Sequence, residues 1–368
     1  MFKALEKKII QVSGQVYQPA VLSFEGLLVA ASYLYGAGTV FRNRLYRSGC
    51  LEQKSLPCPV ISVGNITAGG TGKTPMAIYL ADLLTRHGRK PVVISRGYKG
   101  RLKTGAAVVG NGCDLFLDAD QAGDEPHMMA RLQQFPVVVG KNRHHAGLLA
   151  LDRLSPDILV LDDGFQHIRL KRDIDLLLMD HDQPFGNGRM LPAGRLREPA
   201  ARALVRAHAV ILTRCPDIIP RKPHPVSCLA PHLPVFYTRH QPFLYTCISS
   251  GPDSKPHTRL DSLKGLCVVL FSGISDNPSF YRTIQNLGAR ILDHLEFADH
   301  YRYKGADIRK IQDRAVSLGA DMLVTTQKDW VKLDPREKWM KDLAVVGVQL
   351  VFTKEKRLQS FIKSRLHI

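Results

Sequence analysis

The run Pro59-Val-Ile-Ser-Val-Gly-Asn-Ile-Thr-Ala-Gly-Gly-Thr-Gly-Lys-Thr74 constrains this chain more than any other feature, because an apolar strand runs straight into a glycine-rich turn ending in Gly-Lys-Thr. Val60 to Val63 reads as a buried strand. Thr74 to about Arg86 reads as a helix, with apolar residues at Met76, Ala77, Leu80, Leu83 and Leu84. The turn therefore sits at a helix N-terminus, where unpaired backbone N–H groups and the positive end of the helix dipole attract phosphate. In such a loop Thr67, Ala68, Gly69, Gly70, Thr71, Gly72, Lys73 and Thr74 form the nucleotide-binding segment. Lys73 reaches the β- and γ-phosphates, and the Thr74 hydroxyl suits Mg²⁺. The usual pattern has a further glycine where this chain has Thr67, but Gly69, Gly70 and Gly72 still keep the backbone bare where it must approach phosphate.

Beyond the loop, apolar runs alternate with helical patterns. Pro91–Ser95, Val137–Val139, Ile158–Leu161, Ile174–Met179 and Ala209–Leu212 read as strands, with a helix over Arg143–Asp152. The rhythm breaks at a proline cluster (Pro216, Pro220, Pro223, Pro225, Pro231, Pro234). It resumes with strands at Cys267–Phe271, Arg290–Leu295, Met322–Thr325 and Ala344–Gln349, and helices at Pro278–Leu287 and Asp307–Leu318. The expected fold is α/β: a P-loop NTPase-like, mostly parallel sheet with a second, smaller α/β domain and an N-terminal membrane-associated helix. The expected divisions are residues 1–48 for that helix, 49–215 for the P-loop kinase domain, 216–265 for a proline-rich linker with some β structure, and 266–368 for the C-terminal domain.

From Pro19 to Phe41 the one formally charged residue is Glu25, and Arg42, Arg44 and Arg47 follow. That length could span a bilayer. Glu25, Ser23, Ser32 and the glycines weaken a spanning reading, whereas the basic flank and Tyr33 and Tyr35 suit a helix lying in the interface. The long polar lead argues against a cleaved signal. The net charge of +18 needs an anionic partner. With no zinc-finger spacing and no aromatic-rich RNA signature, an anionic membrane surface or a phosphorylated substrate serves better than nucleic acid. The seven cysteines, odd in number and without a Cys-x-x-Cys pair, fit a reducing compartment.

Three further segments carry chemistry. Ile158-Leu-Val-Leu-Asp-Asp-Gly-Phe-Gln-His167 is a strand ending in Asp162 and Asp163, where a P-loop protein places the acid that holds Mg²⁺; either residue could do so. Gly123-Asp-Glu-Pro126 puts Asp124 and Glu125 at a helix start, where they serve equally well as first-turn acids or as groups facing a γ-phosphate. Phe297-Ala-Asp-His-Tyr-Arg302 carries His300 at a strand end, placed to couple with a base from the other domain. The loop cations Arg96, Lys99, Arg143, Arg195 and Arg197 suggest a substrate that already carries phosphate.

Taken together, the chain resembles the tetraacyldisaccharide 4′-kinases, the lipid A 4′-kinases of Gram-negative bacteria. The resemblance runs through nearly its whole length. It rests on Ser62–Pro75, Ser95-Arg-Gly-Tyr98, Gly123–Pro126, Leu161–His167, Leu191-Pro-Ala-Gly-Arg-Leu-Arg-Glu-Pro199, Asp299-His300 and Thr325-Thr-Gln-Lys-Asp329. Two positions depart from the family pattern: Tyr301, where histidine is more usual, and Gln327, where glutamate is. The resemblance implies transfer of the γ-phosphoryl group of ATP to the 4′-hydroxyl of a tetraacylated glucosamine disaccharide 1-phosphate, giving lipid IVA, at the cytoplasmic face of the inner membrane. It implies ATP and Mg²⁺; no nucleic acid is expected as a partner, and no obligate protein partner is inferred. It makes Asp124 the base assisted by His300, Lys73 a phosphate ligand, and Thr74, Glu125 and Asp162 or Asp163 the metal set. It places Arg143, Arg197 and Glu198 near the substrate or transition state. The main rival is a deviant-loop switch ATPase, which needs a lysine where this chain has Ala68; a nucleotide-dependent adaptor would need neither Asp124 nor His300.

Overall fold

Short apolar runs buried on both faces favour parallel strands flanked by helices. In the computed structural model they form β1 (Val60–Asn65), β2 (Pro91–Ser95), β3 (Ala106–Asn111), β4 (Pro136–Gly140), β5 (Ile158–Asp162), β6 (Ile174–Asp180), β7 (Ala209–Thr213), β8 (Val235–Thr246), β9 (Cys267–Ser272), β10 (Arg290–Glu296), β11 (Met322–Thr326) and β12 (Leu343–Phe352). The structure describes residues 12–15, 20, 23–102, 105–219, 222–246, 263–333, 339 and 343–366. Most of the polar lead before residue 20, Pro220, and residues 247–262 with Cys247 lie outside the described residues.

The strands make one 12-stranded sheet in the order β10-β9-β11-β12-β8-β7-β6-β1-β5-β2-β4-β3. Two neighbouring pairs, β3 with β4 and β8 with β12, are antiparallel. The rest are parallel. Every residue of β1, β2, β5 and β7 is buried. The Lys73–Arg86 helix lays Met76, Ala77, Leu80 and Leu84 on one face of this sheet. Ala146 and Ala150 of the Arg143–Leu154 helix cover the other.

The proline-rich segment holds more structure than its composition indicates. β8 pairs in parallel with β7 through Val210↔Val235, then antiparallel with β12 from Thr238↔Phe352 to Thr246↔Ala344. One strand thus carries the sheet from the first parallel run into the second. Pro242 masks it in the sequence, because proline within a run normally demotes a strand. β3 is also unforeseen: Ala106-Ala-Val-Val-Gly-Asn is weakly apolar and its register shifts between Val108 and Gly110.

Register brings the chemistry together. Val63↔Asp162 aligns the end of β1 with the end of β5, so the glycine loop and the acid pair emerge side by side at the carboxyl edge of the sheet. The N-terminal helix Phe24–Arg47 has 24 residues and is, among the described residues, the one helix long and apolar enough to cross a membrane by length and composition. Leu28, Ser32, Gly36 and Asn43 face the protein. Leu27, Tyr33, Leu34 and Phe41 stay 64–77% exposed.

Candidate active site

The phosphate loop is shaped from within. Asn65, the last residue of β1, donates from Nδ2 to the Thr67 carbonyl at 2.7 Å and to Thr71 Oγ1 at 2.8 Å. One side chain thereby ties both limbs of the turn. Outside, the Ala68 N–H donates to the Arg195 carbonyl at 2.7 Å, and Arg214 bridges from the Gly70 carbonyl at 2.7 Å to Asp180 at 2.9 Å. Gly72 caps the helix with φ +83° and no side-chain cap, so the first-turn N–H groups keep their capacity for an incoming oxygen. A side chain there would meet both the left-handed backbone penalty and His240 Nε2, 2.8 Å from its Cβ.

Beside the loop lies an acid cluster. Asp162 is fully buried; its Oδ2 accepts weakly from Thr74 Oγ1 at 3.5 Å and Ser95 Oγ at 3.4 Å, while its buried Oδ1 has no partner among the described residues. Burial, then the charges of Glu125 and Asp163, push its carboxyl up to about 7. A carboxylate crowded by two others with an orphaned oxygen fits a divalent cation, which would satisfy that oxygen and neutralise the repulsion. Asp163 is committed elsewhere. Its carboxylate takes Arg197 at 3.2 and 3.3 Å and has Lys73 Nζ at 3.9 Å.

Across the cleft, strand ends of the second half supply the partners of Asp124 and Glu125. Gly123, with φ +92°, starts the Asp124–Arg131 helix against the Tyr98 carbonyl, which lies 2.7 Å from where a Cβ would stand. Asp124 Oδ2 then meets His300 Nδ1 at 2.8 Å and Lys332 Nζ at 3.6 Å. Burial pushes the Asp124 carboxyl up, but the His300 hydrogen bond and the Lys332 charge outweigh it and hold the group below its ordinary range. Glu125 behaves likewise: burial raises it, and the charge of Lys328, whose Nζ lies 2.5 Å from Oε1, brings it below the usual carboxylate range. Arg131 stacks over Trp330 at 3.5 Å, fastening the two short helices that carry these groups.

The remaining expected residues divide. Arg143 is buried, donating to the carbonyls of Gly140 at 3.2 Å and Asp162 at 3.4 Å; burial lowers it to about 10, and its Nε has no partner among the described residues. Its guanidinium thus lies against the backbone that carries the acid pair. Glu198 is not gathered into that cluster: it pairs with Arg206 at 2.8 and 3.0 Å and accepts from Gln166 at 3.4 Å and Asn43 at 3.5 Å, linking the N-terminal helix to the loop that follows β5.

A family model described as tetraacyldisaccharide-1-P 4′-kinase matches residues 24–367. The chain belongs to this family. Among similar members, a tetraacyldisaccharide 4′-kinase of Syntrophus aciditrophicus is 39% identical over 349 residues, 92% of each chain. One of Pelobacter propionicus is 43% identical over 312 residues, 84% of each. A crystal structure of LpxK from Aquifex aeolicus, in complex with ATP, superposes with a TM-score of 0.76 at 34% identity, covering 94% of this chain and all of that one. The mostly parallel α/β architecture is thus that of a solved kinase of the family.

Several residues of this kinase's site carry little sequence signal. Asn65 lies inside the loop motif but reads as a strand-end polar residue until its side chain is seen spanning the turn. Lys328 sits within Thr325–Asp329 and looks like any surface lysine there. Lys332 and Arg214 lie outside every motif, and their roles exist only through contacts across the fold.

Proposed function

We propose that this chain is an ATP-dependent lipid kinase that phosphorylates the 4′-hydroxyl of a tetraacylated disaccharide 1-phosphate, producing lipid IVA for lipid A biosynthesis. Family membership supports the reaction, and the observation that carries the assignment of roles is the 2.8 Å pairing of Asp124 with His300, brought from opposite halves of the chain beside a phosphate loop. A switch ATPase has no use for such a pair.

The glycine loop and Lys73 hold the β- and γ-phosphates. Thr74, Asp162 and Glu125 are the candidate ligands of Mg²⁺, with the unpartnered Asp162 Oδ1 as the strongest; Asp163 serves instead to orient Lys73 and Arg197. When bound, the cation supplies charge neutralisation to the transferred phosphoryl group. Asp124 takes the proton of the 4′-hydroxyl as its oxygen attacks phosphorus, and His300 fixes the carboxylate and shares its charge. Lys73, with Arg197 and Arg143 around the acid pair, balances negative charge on the transferring group.

The lipid reaches this site at the cytoplasmic face of the inner membrane. The exposed Leu27, Leu34 and Phe41 lie one after another along the N-terminal helix, and burying each in a bilayer interface contributes about 1.5–3 kcal/mol. The +18 charge favours anionic headgroups. No nucleic acid or protein partner is needed for the reaction as written.

The test is turnover of purified variants on detergent-dispersed acceptor. Lys73→Ala and Asp124→Ala are each expected to lower kcat by about 10²–10⁴-fold. The distant, exposed Lys356→Ala should leave it unchanged. Retained turnover in Asp124→Ala would remove the base assignment.

A further inference from the structure

Lys332 has only 5% of its side chain exposed, and its ion-pair partner Asp329 has none. Taking such a pair out of water is unfavourable unless its geometry is fixed by further bonds. Here it is fixed. Asp329 accepts from the Thr326 hydroxyl at 2.7 Å and from the Gly273 N–H at 3.1 Å, and holds Lys332 Nζ at 3.0 Å. The Gly273 carbonyl in turn accepts from the His300 backbone N–H at 3.0 Å. One peptide corner at the end of β9 therefore locates both groups that reach Asp124.

Both reach the same oxygen. His300 Nδ1 stands 2.8 Å from Asp124 Oδ2 and Lys332 Nζ 3.6 Å from it, while among the described residues nothing bonds to Oδ1. We propose that Lys332, locked by Asp329, is a positioning residue for phosphoryl transfer: together with His300 it occupies Oδ2 of Asp124, so that Oδ1 is the oxygen presented to the acceptor hydroxyl. In the step this serves, the hydroxyl proton passes to Oδ1 as the hydroxyl oxygen bonds to the γ-phosphorus. The bond from that phosphorus to the β,γ-bridging oxygen breaks, and ADP leaves with its electron pair. The inference rests on the reading of Asp124 as base.

The experiment is a double-mutant cycle on the full-length chain, with kcat on ATP and detergent-dispersed acceptor, and ATP affinity measured separately by calorimetry. Asp329→Asn combined with Lys332→Met removes both buried charges and leaves neither orphaned. It is expected to lower kcat about 10–100-fold with ATP affinity changed less than about twofold, and to lower it by no more than about threefold when Asp124→Asn is already present. Lys332→Arg keeps the charge but moves its centre, and serves as the second variant should the pair variant fail to bind ATP. It is expected to lose about 3–10-fold in kcat, again only when Asp124 is intact. An equal loss with and without Asp124→Asn, or a loss confined to ATP affinity, overturns the proposal. Near-normal kcat in Asp124→Asn alone overturns the base reading instead, so the two failures are told apart.

Discussion

At the scale of single residues, the acid cluster places like charges together and leaves Asp162 Oδ1 without a partner among the described residues. Asp162 lies beneath Thr74, crowded by Glu125 and Asp163, and burial with those charges lifts its carboxyl to about 7. An acid whose folded value lies above its unfolded one contributes stability that is complete below its unfolded value, near 4, and is lost as pH rises through about 7. In cation-free protein, Asp162→Asn is therefore expected to raise the melting temperature by several degrees at pH 8 and to change it little at pH 4. Thermal melts at the two values check this; an equal effect at both would mean that crowding of charge is not what Asp162 experiences. That these residues come together is largely legible in the sequence, because Asp162, Glu125, Lys73 and Thr74 sit in local motifs whose spacing has a mechanical reason. What was not legible is that the two carboxylates turn to different surroundings. Asp163 adopts φ +51° and turns its carboxylate toward Arg197 and Lys73, a backbone choice that two adjacent aspartates do not announce.

At the scale of elements, parallel strands were readable because each is a short apolar run bounded by turns. β8 was not, since its pairing partners lie on both sides and its proline argues against a strand. The N-terminal helix is legible in the sequence as an element, and its two faces add what composition does not give. Ser32, Gly36 and Asn43 let it approach the body closely, Asn43 reaching Glu198, while Leu27, Leu34 and Phe41 stay outward. Removing residues 1–40 is expected to abolish co-sedimentation with anionic vesicles while leaving ATP affinity within about twofold, because Asn43 and the whole phosphate loop remain. Unchanged sedimentation of the truncated chain would place the membrane contact elsewhere.

At the scale of the whole molecule, the sheet explains how a local loop becomes a two-sided site. β8 carries the first parallel run into the second, and β9 and β11 end where His300, Lys328 and Lys332 can meet Asp124 and Glu125. The Asp124–His300 pairing is an expectation of the sequence, whereas the approach of Lys328 and Lys332 lies in no single motif and comes from the way the strand ends meet. As a tetraacyldisaccharide 4′-kinase, the molecule moves phosphoryl to a lipid hydroxyl rather than to water. The most direct measurement is the fate of label from γ-labelled ATP incubated with Mg²⁺ and detergent-dispersed tetraacyldisaccharide 1-phosphate. Label is expected in the lipid, dependent on Lys73 and Asp124, with little released without acceptor. Label appearing as inorganic phosphate at the same rate with or without the lipid would contradict it.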